Sequence, residues 1–217
     1  IADAKVSGRF LPLHVGQSFL EFLHNYFPVQ VPLNLNGKKP KKKVQNDEFA
    51  FSLIIKNADP VTKVFFPSIE IANNASCAGE YNSLNSLFKL NASLSFFSAF
   101  KYKLSNLNLS SDSKNDQLNF QLLCDRLNFA DSVWIDNLSL NLQGKNDTID
   151  FETHWKNSTQ QNYTGDVSGI VALSEKSKTK INFSPSTITI ADSTWRLQNN
   201  NEIIIDSTGI DIKNIDF

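Results

Sequence analysis

Residues that could do chemistry are few in this chain of 217 residues, and they lie far apart. The three histidines, His14, His24 and His154, form no His-x-x-x-His or His-Glu pair from which a metal site could be built. Serine is abundant, yet no Gly-x-Ser-x-Gly elbow and no glycine-rich phosphate loop occurs. Asp150 and Glu152 are two positions apart on a predicted strand, so their side chains both face solvent on the same side. The sequence therefore predicts a protein that is not an enzyme and that uses no metal or cofactor.

Charge and composition exclude further classes of protein. Lys and Arg total 21 against 22 Asp and Glu, so the chain offers no general positive field to a nucleic-acid backbone. No apolar run reaches the roughly 18 residues that a membrane-spanning helix needs. The two cysteines, Cys77 and Cys124, match neither a zinc spacing nor a redox motif, and the sequence alone is compatible with two buried thiols or with one disulfide.

Residues 1–45 are predicted to hold one short helix and one basic loop. Over residues 18–27 aromatic and leucine side chains recur at spacings of three and four, behind a Ser18…Glu21 capping box, and Pro28 ends the pattern. A run of lysines at 38–43 follows Asn36-Gly37, a turn signal between two apolar stretches. The run fits a solvated hairpin loop, and it also fits contact with anionic lipid headgroups.

From residue 46 to residue 217 the period of the hydrophobic pattern is two, which is typical of serial β-strands with one apolar and one polar face. Short polar turns separate the strands, so we expect antiparallel neighbours. The predicted apolar face lines a groove and comprises Phe88, Leu90, Leu94, Phe96, Leu118, Phe120, Leu122, Leu138, Leu140, Leu142, Ile149, Phe151, Trp155, Ile188, Ile190, Trp195, Leu197, Ile203 and Ile205.

Two all-β architectures fit this alternation. One is an ordinary β-sandwich with a closed core. The other is an elongated, twisted antiparallel sheet that curls into an open, taco-like groove, with the short N-terminal helix bordering one mouth. Only 8 glycines are present, which disfavours a small barrel with repeated glycine corners. We expect the open groove, in which the apolar side chains shelter a lipid acyl chain.

The chain resembles a known family in three places. Residues 181–197 read as a Ser-led strand, a short Asp turn and a Trp-containing strand, and residues 199–212 continue with a polar turn and alternating isoleucines. This string is similar to the repeating unit of the TamB-like, AsmA-related translocation and assembly module proteins. Residues 55–72 also look like the interior of these long proteins.

The resemblance implies a periplasmic span of a long bridge-like protein that conducts phospholipids between the inner and outer membranes. It also implies anchoring to the inner membrane by sequence outside these residues, an outer-membrane barrel partner of the TamA type, and no catalytic motif. The missing initial Met and the alternating pattern that stops at Phe217 favour a fragment of such a chain.

Two rival functions follow from the same strands. The first is a scaffold for outer-membrane protein assembly or secretion that binds partners by strand addition at a sheet edge. The second is a carbohydrate-binding or adhesive β-sandwich, which would need exposed aromatic side chains in a shallow site or an acidic calcium loop.

Overall fold

A computed structural model describes residues 1–31, 46–130, 133–157, 162–174, 178–191 and 193–215, which form one antiparallel sheet and two short helices. The predicted basic hairpin loop at 38–43 lies outside the described residues. The helices are α1 (Pro12–His24) and α2 (Asp59–Phe65). The strands are β1 (Ala2–Arg9), β2 (Glu48–Ile55), β3 (Ile69–Ile71), β4 (Ala75–Asn82), β5 (Leu87–Ala99), β6 (Tyr102–Lys114), β7 (Gln117–Ala130), β8 (Val133–Lys145), β9 (Thr148–Lys156), β10 (Tyr163–Ser174), β11 (Lys178–Phe183), β12 (Ser186–Ile190), β13 (Ser193–Leu197), β14 (Glu202–Asp206) and β15 (Gly209–Lys213).

The sheet is an up-and-down meander in which strands pair with their neighbours along the chain. The main path runs β1-β2-β4-β5-β6-β7-β8-β9-β10-β11-β14-β15. β3 and β4 pair with opposite ends of β5, and together they make one interrupted long strand. β11 and β12 lie end to end along β10 in the same way, and β14 and β13 follow them on the outer side. The fifteen strands therefore occupy twelve positions across the sheet.

The sheet stays open and curls into a groove. The chain exposes 14276 Å² of surface to solvent. A compact protein of 24.4 kDa is expected to expose about 10,000 Å². No second sheet packs on the apolar face among the described residues. The predicted all-β fold, with one open sheet instead of a closed sandwich, is confirmed.

Helix α1 begins at Pro12 and ends at His24, whereas the sequence predicted a helix over residues 18–27. Pro12 occupies the first turn, where a missing N–H costs nothing and the fixed φ favours a helix. Ser18 therefore lies inside the helix and is not its cap. Its hydroxyl donates instead to the fully buried carboxylate of Asp47, which ties the helix to the start of β2.

The buried face of α1 forms a compact aromatic core with one end of the sheet. Phe22 of the helix, Tyr26 just after its end and Tyr81 of β4 are its buried members, and Phe88 of β5 and Leu118 of β7 pack against it. The Tyr81 hydroxyl donates to the carbonyl of Ser18 over 2.8 Å. The helix thus covers the apolar face at the end of the sheet where the β4–β5, β6–β7 and β8–β9 turns lie.

Two further elements depart from the expected series of strands. β1 lies within residues 1–45 and pairs along its whole length with β2, which joins that segment to the sheet. Helix α2 interrupts residues 46–217, which were predicted to hold strands alone. The helix is rich in β-branched and aromatic side chains, which favour a strand, but Pro60 at the first turn and the Asp59–Lys63 ion pair of 2.5 Å favour a helix.

Candidate functional site

An apolar groove of about 520 Å³ opens at the end of the sheet opposite α1. It runs across β7, β8, β9, β10 and β12, and three residues at its wall, Thr153, Thr189 and Tyr163, carry hydroxyl groups. Among the described residues, no member of the lining carries a formal charge. The lining residues are Leu127, Phe129, Val133, Trp134, Ile135, Leu138, Leu140, Thr153, Trp155, Tyr163, Ile188, Thr189 and Ile190.

Five of the predicted groove residues meet in this site, and they are Leu138, Leu140, Trp155, Ile188 and Ile190. Phe88 and Leu118 lie under α1 instead. Phe120 and Leu142 border a polar depression of about 460 Å³. Trp195 and Ile205 are exposed, and Leu197 is buried. The remaining residues are half-buried along the sheet, and they are Leu90, Leu94, Phe96, Leu122, Ile149, Phe151 and Ile203.

Sequence reasoning missed the groove residues nearest the open end, such as Leu127 and Phe129. On β8 both Ile135 and Leu138 line the groove, although an odd and an even position on an unbroken strand face opposite sides. Asn137 lies between them with φ of +53°, so the alternation shifts by one residue there. An Asn inside a strand was the available signal, because Asn is one of the few residues that adopts this conformation readily.

Polar side chains form hydrogen bonds between strands at the row of residues where the alternation shifts. Asn106 of β6, with φ of +50°, donates from Nδ2 to Oδ2 of Asp125 on β7 over 2.7 Å. Asn137 of β8 donates to the carbonyl of Lys156 on β9 over 3.0 Å. The regular ladder skips the pairs at these positions. These side-chain hydrogen bonds join neighbouring strands where the regular ladder is interrupted.

An ion pair between the exposed Arg126 and the buried Asp136 lies next to these residues. The Arg126 guanidinium donates from Nε to Oδ1 of Asp136 over 2.6 Å, and Asp136 is only 3% exposed. This hydrogen bond raises the pKa of Arg126 above its ordinary value. Asn157 accepts from the Asp136 amide and donates to the carbonyl of Trp134. The guanidinium also lies 5.4 Å from the centre of the Trp134 ring, so the network fixes one wall of the groove.

Two aromatic side chains lie over glycines of β10. A Cβ atom at Gly165 would collide with the Trp155 ring, and one at Gly169 would lie 2.9 Å from the ring of Phe151. Phe151 also makes an edge contact with Phe183 at 5.9 Å between centroids. Because these glycines carry no side chain, the rings lie close to the backbone and leave the space above them open.

The two cysteines are free thiols that do not meet. Cys77 lies on β4 and Cys124 on β7, and the two strands between them imply a separation of about 14 Å. Burial raises the pKa of both thiols. In the described part of the chain no group of three or more His, Cys, Asp or Glu side chains is placed to hold a metal ion. No described helix is long and apolar enough to cross a membrane.

Comparisons with protein-family models, with curated proteins and with solved structures find no match to this chain.

Proposed function

We propose that the chain is a non-enzymatic conduit segment whose groove binds phospholipid acyl chains. The observation that carries the proposal is the apolar groove at the open end, whose described lining residues are all uncharged. Its volume of about 520 Å³ lies within the range of roughly 300–1,000 Å³ that is usual for small-molecule sites. A lipid tail fits this chemistry because it needs no polar partner along its length.

The energetics favour a long acyl chain as the ligand. Each methylene that leaves water contributes about 0.8 kcal/mol, so a 16-carbon chain in water costs about 13 kcal/mol relative to an apolar site. β7 and β8 are 14 and 13 residues long and extend about 45 Å, which exceeds the length of one acyl chain. The half-buried leucines and phenylalanines between α1 and the groove extend the apolar path along these strands.

The cellular setting is proposed from the family resemblance. In that setting the chain lies in the periplasm, its groove conducts phospholipids between the inner and outer membranes, and residues outside this chain hold the inner-membrane anchor and contact the TamA-type barrel.

Lipid extraction with native mass spectrometry tests the proposal. We expect the purified chain to retain phospholipid, and we expect Leu140→Asp to lose it, because a carboxylate in the groove must be desolvated when an acyl chain binds. Ser139→Asp is the matched control, since it adds the same charge one residue away on the other side of β8. Circular dichroism should report the same strand content for both variants. Equal lipid retention by both folded variants would contradict the groove proposal.

Strand addition is a second candidate because β1 offers a free edge. Every residue of β1 is exposed, and among the described residues its only partner strand is β2. Photocrosslinkers placed along β1 would capture an unfolded outer-membrane protein if this edge is the working surface. Crosslinks to lipid from Leu140 with none to protein from β1 would favour the conduit instead.

A further inference from the structure

We propose that the open end of the groove docks on the surface of an anionic lipid bilayer. The surface consists of Val64, Phe65, Phe66, Phe100, Lys101 and Lys103, which we term the aromatic rim. The proposal rests on the proposed function for its orientation, because it places the mouth of the groove against a membrane. The binding itself is measured independently of the groove.

Helix α2 supplies the first argument, because its polarity is inverted. Thr62 is buried and bonds to the carbonyl of Ala58, whereas Val64 and Phe65 are about 70% exposed. Phe66, which follows the helix, is 56% exposed. A short helix that folds only to cover the sheet would turn its valine and phenylalanine side chains inward. Exposed apolar side chains gathered in one place mark a binding surface.

Phe100 extends the same surface from the β5–β6 turn. Its ring is 80% exposed, and its amide donates to the carbonyl of Ser68 over 2.9 Å, which holds the turn against the segment after α2. Two residues further on, the Tyr102 ring contacts the Phe129 ring at 6.4 Å between centroids, and Phe129 lines the groove. An acyl chain that leaves a bilayer at the rim therefore meets the groove wall directly.

Charge identifies the occupant as a membrane with anionic headgroups. Lys101 and Lys103 flank the tyrosine, and no carboxylate among the described residues forms an ion pair with either. The Lys101 ammonium lies 5.6 Å from the Tyr102 ring. Asp59 forms an ion pair with Lys63, and Glu70 also interacts electrostatically with Lys63. Phenylalanines beside lysines bind lipid by inserting rings between acyl chains while the ammonium groups contact phosphates.

Co-sedimentation with vesicles tests the proposal. We expect the 217-residue chain to bind vesicles of phosphatidylcholine mixed with phosphatidylglycerol more tightly than vesicles of phosphatidylcholine alone, and we expect salt to weaken the binding. The triple variant Phe65→Ser/Phe66→Ser/Phe100→Ser should lower the partition coefficient roughly tenfold or more. Lys101→Glu/Lys103→Glu should remove the preference for anionic vesicles.

The matched control is Leu13→Ser/Leu84→Ser, which removes two exposed leucines at the α1 end of the molecule. This control should bind vesicles as the parent chain does. Equal binding by the rim triple variant, or an equal loss in the leucine control, would overturn the proposal. Sedimentation velocity gives a further outcome. If the parent chain is a dimer and the triple variant is a monomer, a second copy of the chain covers the rim, and the proposal is overturned. Leu140→Asp, which should lose lipid from the groove, should still bind vesicles. Failure of the groove proposal and failure of the rim proposal therefore give different results.

Discussion

Replacing Phe22 with alanine should detach helix α1 from the sheet. The Phe22 side chain is buried and contacts Phe19, Tyr26, Tyr81 and Phe88, with ring centroids 5.2 to 5.9 Å apart. Burial of about 150 Å² of ring surface at about 25 cal/mol per Å² contributes about 4 kcal/mol. Phe→Ala substitutions in cores cost about 3–5 kcal/mol, so both routes give the same magnitude.

Chemical denaturation measures this loss. We expect Phe22→Ala to lower the free energy of unfolding by about 4 kcal/mol, or to produce a separate early transition in which α1 leaves the sheet. Leu13→Ala is the control on the same helix, because Leu13 is 95% exposed and its truncation should change stability by less than about 0.5 kcal/mol. A change below about 1 kcal/mol for Phe22→Ala, with a single transition, would refute the view that the aromatic core holds the helix in place.

Three further predictions follow from buried polar groups. Asn201→Ala should cost about 2 kcal/mol in thermal unfolding, because Asn201 is fully buried and both accepts from the Phe183 amide and donates to its carbonyl. Burial raises the pKa of Tyr81 to about 12, so its contribution to stability is complete below the ordinary value near 10 and is lost as pH rises toward 12. Tyr81→Phe should flatten this alkaline loss in denaturation series. Cys124, which is buried, should alkylate more slowly than the half-buried Cys77 when adducts are counted by mass spectrometry.

The sequence predicts the strands well wherever the alternation is unbroken. The even positions of β5 from Phe88 to Leu94 are half-buried while the odd ones between them are exposed, as the period of two requires. Leu127 and Phe129 were not assigned to the groove, because they occupy odd positions of β7 whereas the residues predicted from that strand, from Leu118 to Leu122, occupy even positions.

The helices were harder to predict than the strands, for a different reason in each helix. Ser18 and Glu21 have the spacing of a capping box. Ser18 nevertheless lies inside the helix, and its hydroxyl donates to the buried carboxylate of Asp47. The residues around Val64 are β-branched and aromatic, as in a strand, and the proline and the ion pair near the start of α2 are the local signals that favour a helix. The order of the strands in the sheet depends on which strands pair, and a single sequence does not specify that pairing.

The meander also determines how such a protein changes its length. Away from α1, each strand position pairs only with the positions beside it, so duplication or loss of one hairpin leaves the pairing of the other strands intact. One hairpin adds about 10 Å to the width of the sheet and restores the direction of the chain, which keeps the apolar face on the same side. The width of this sheet can therefore change during evolution in steps of one hairpin.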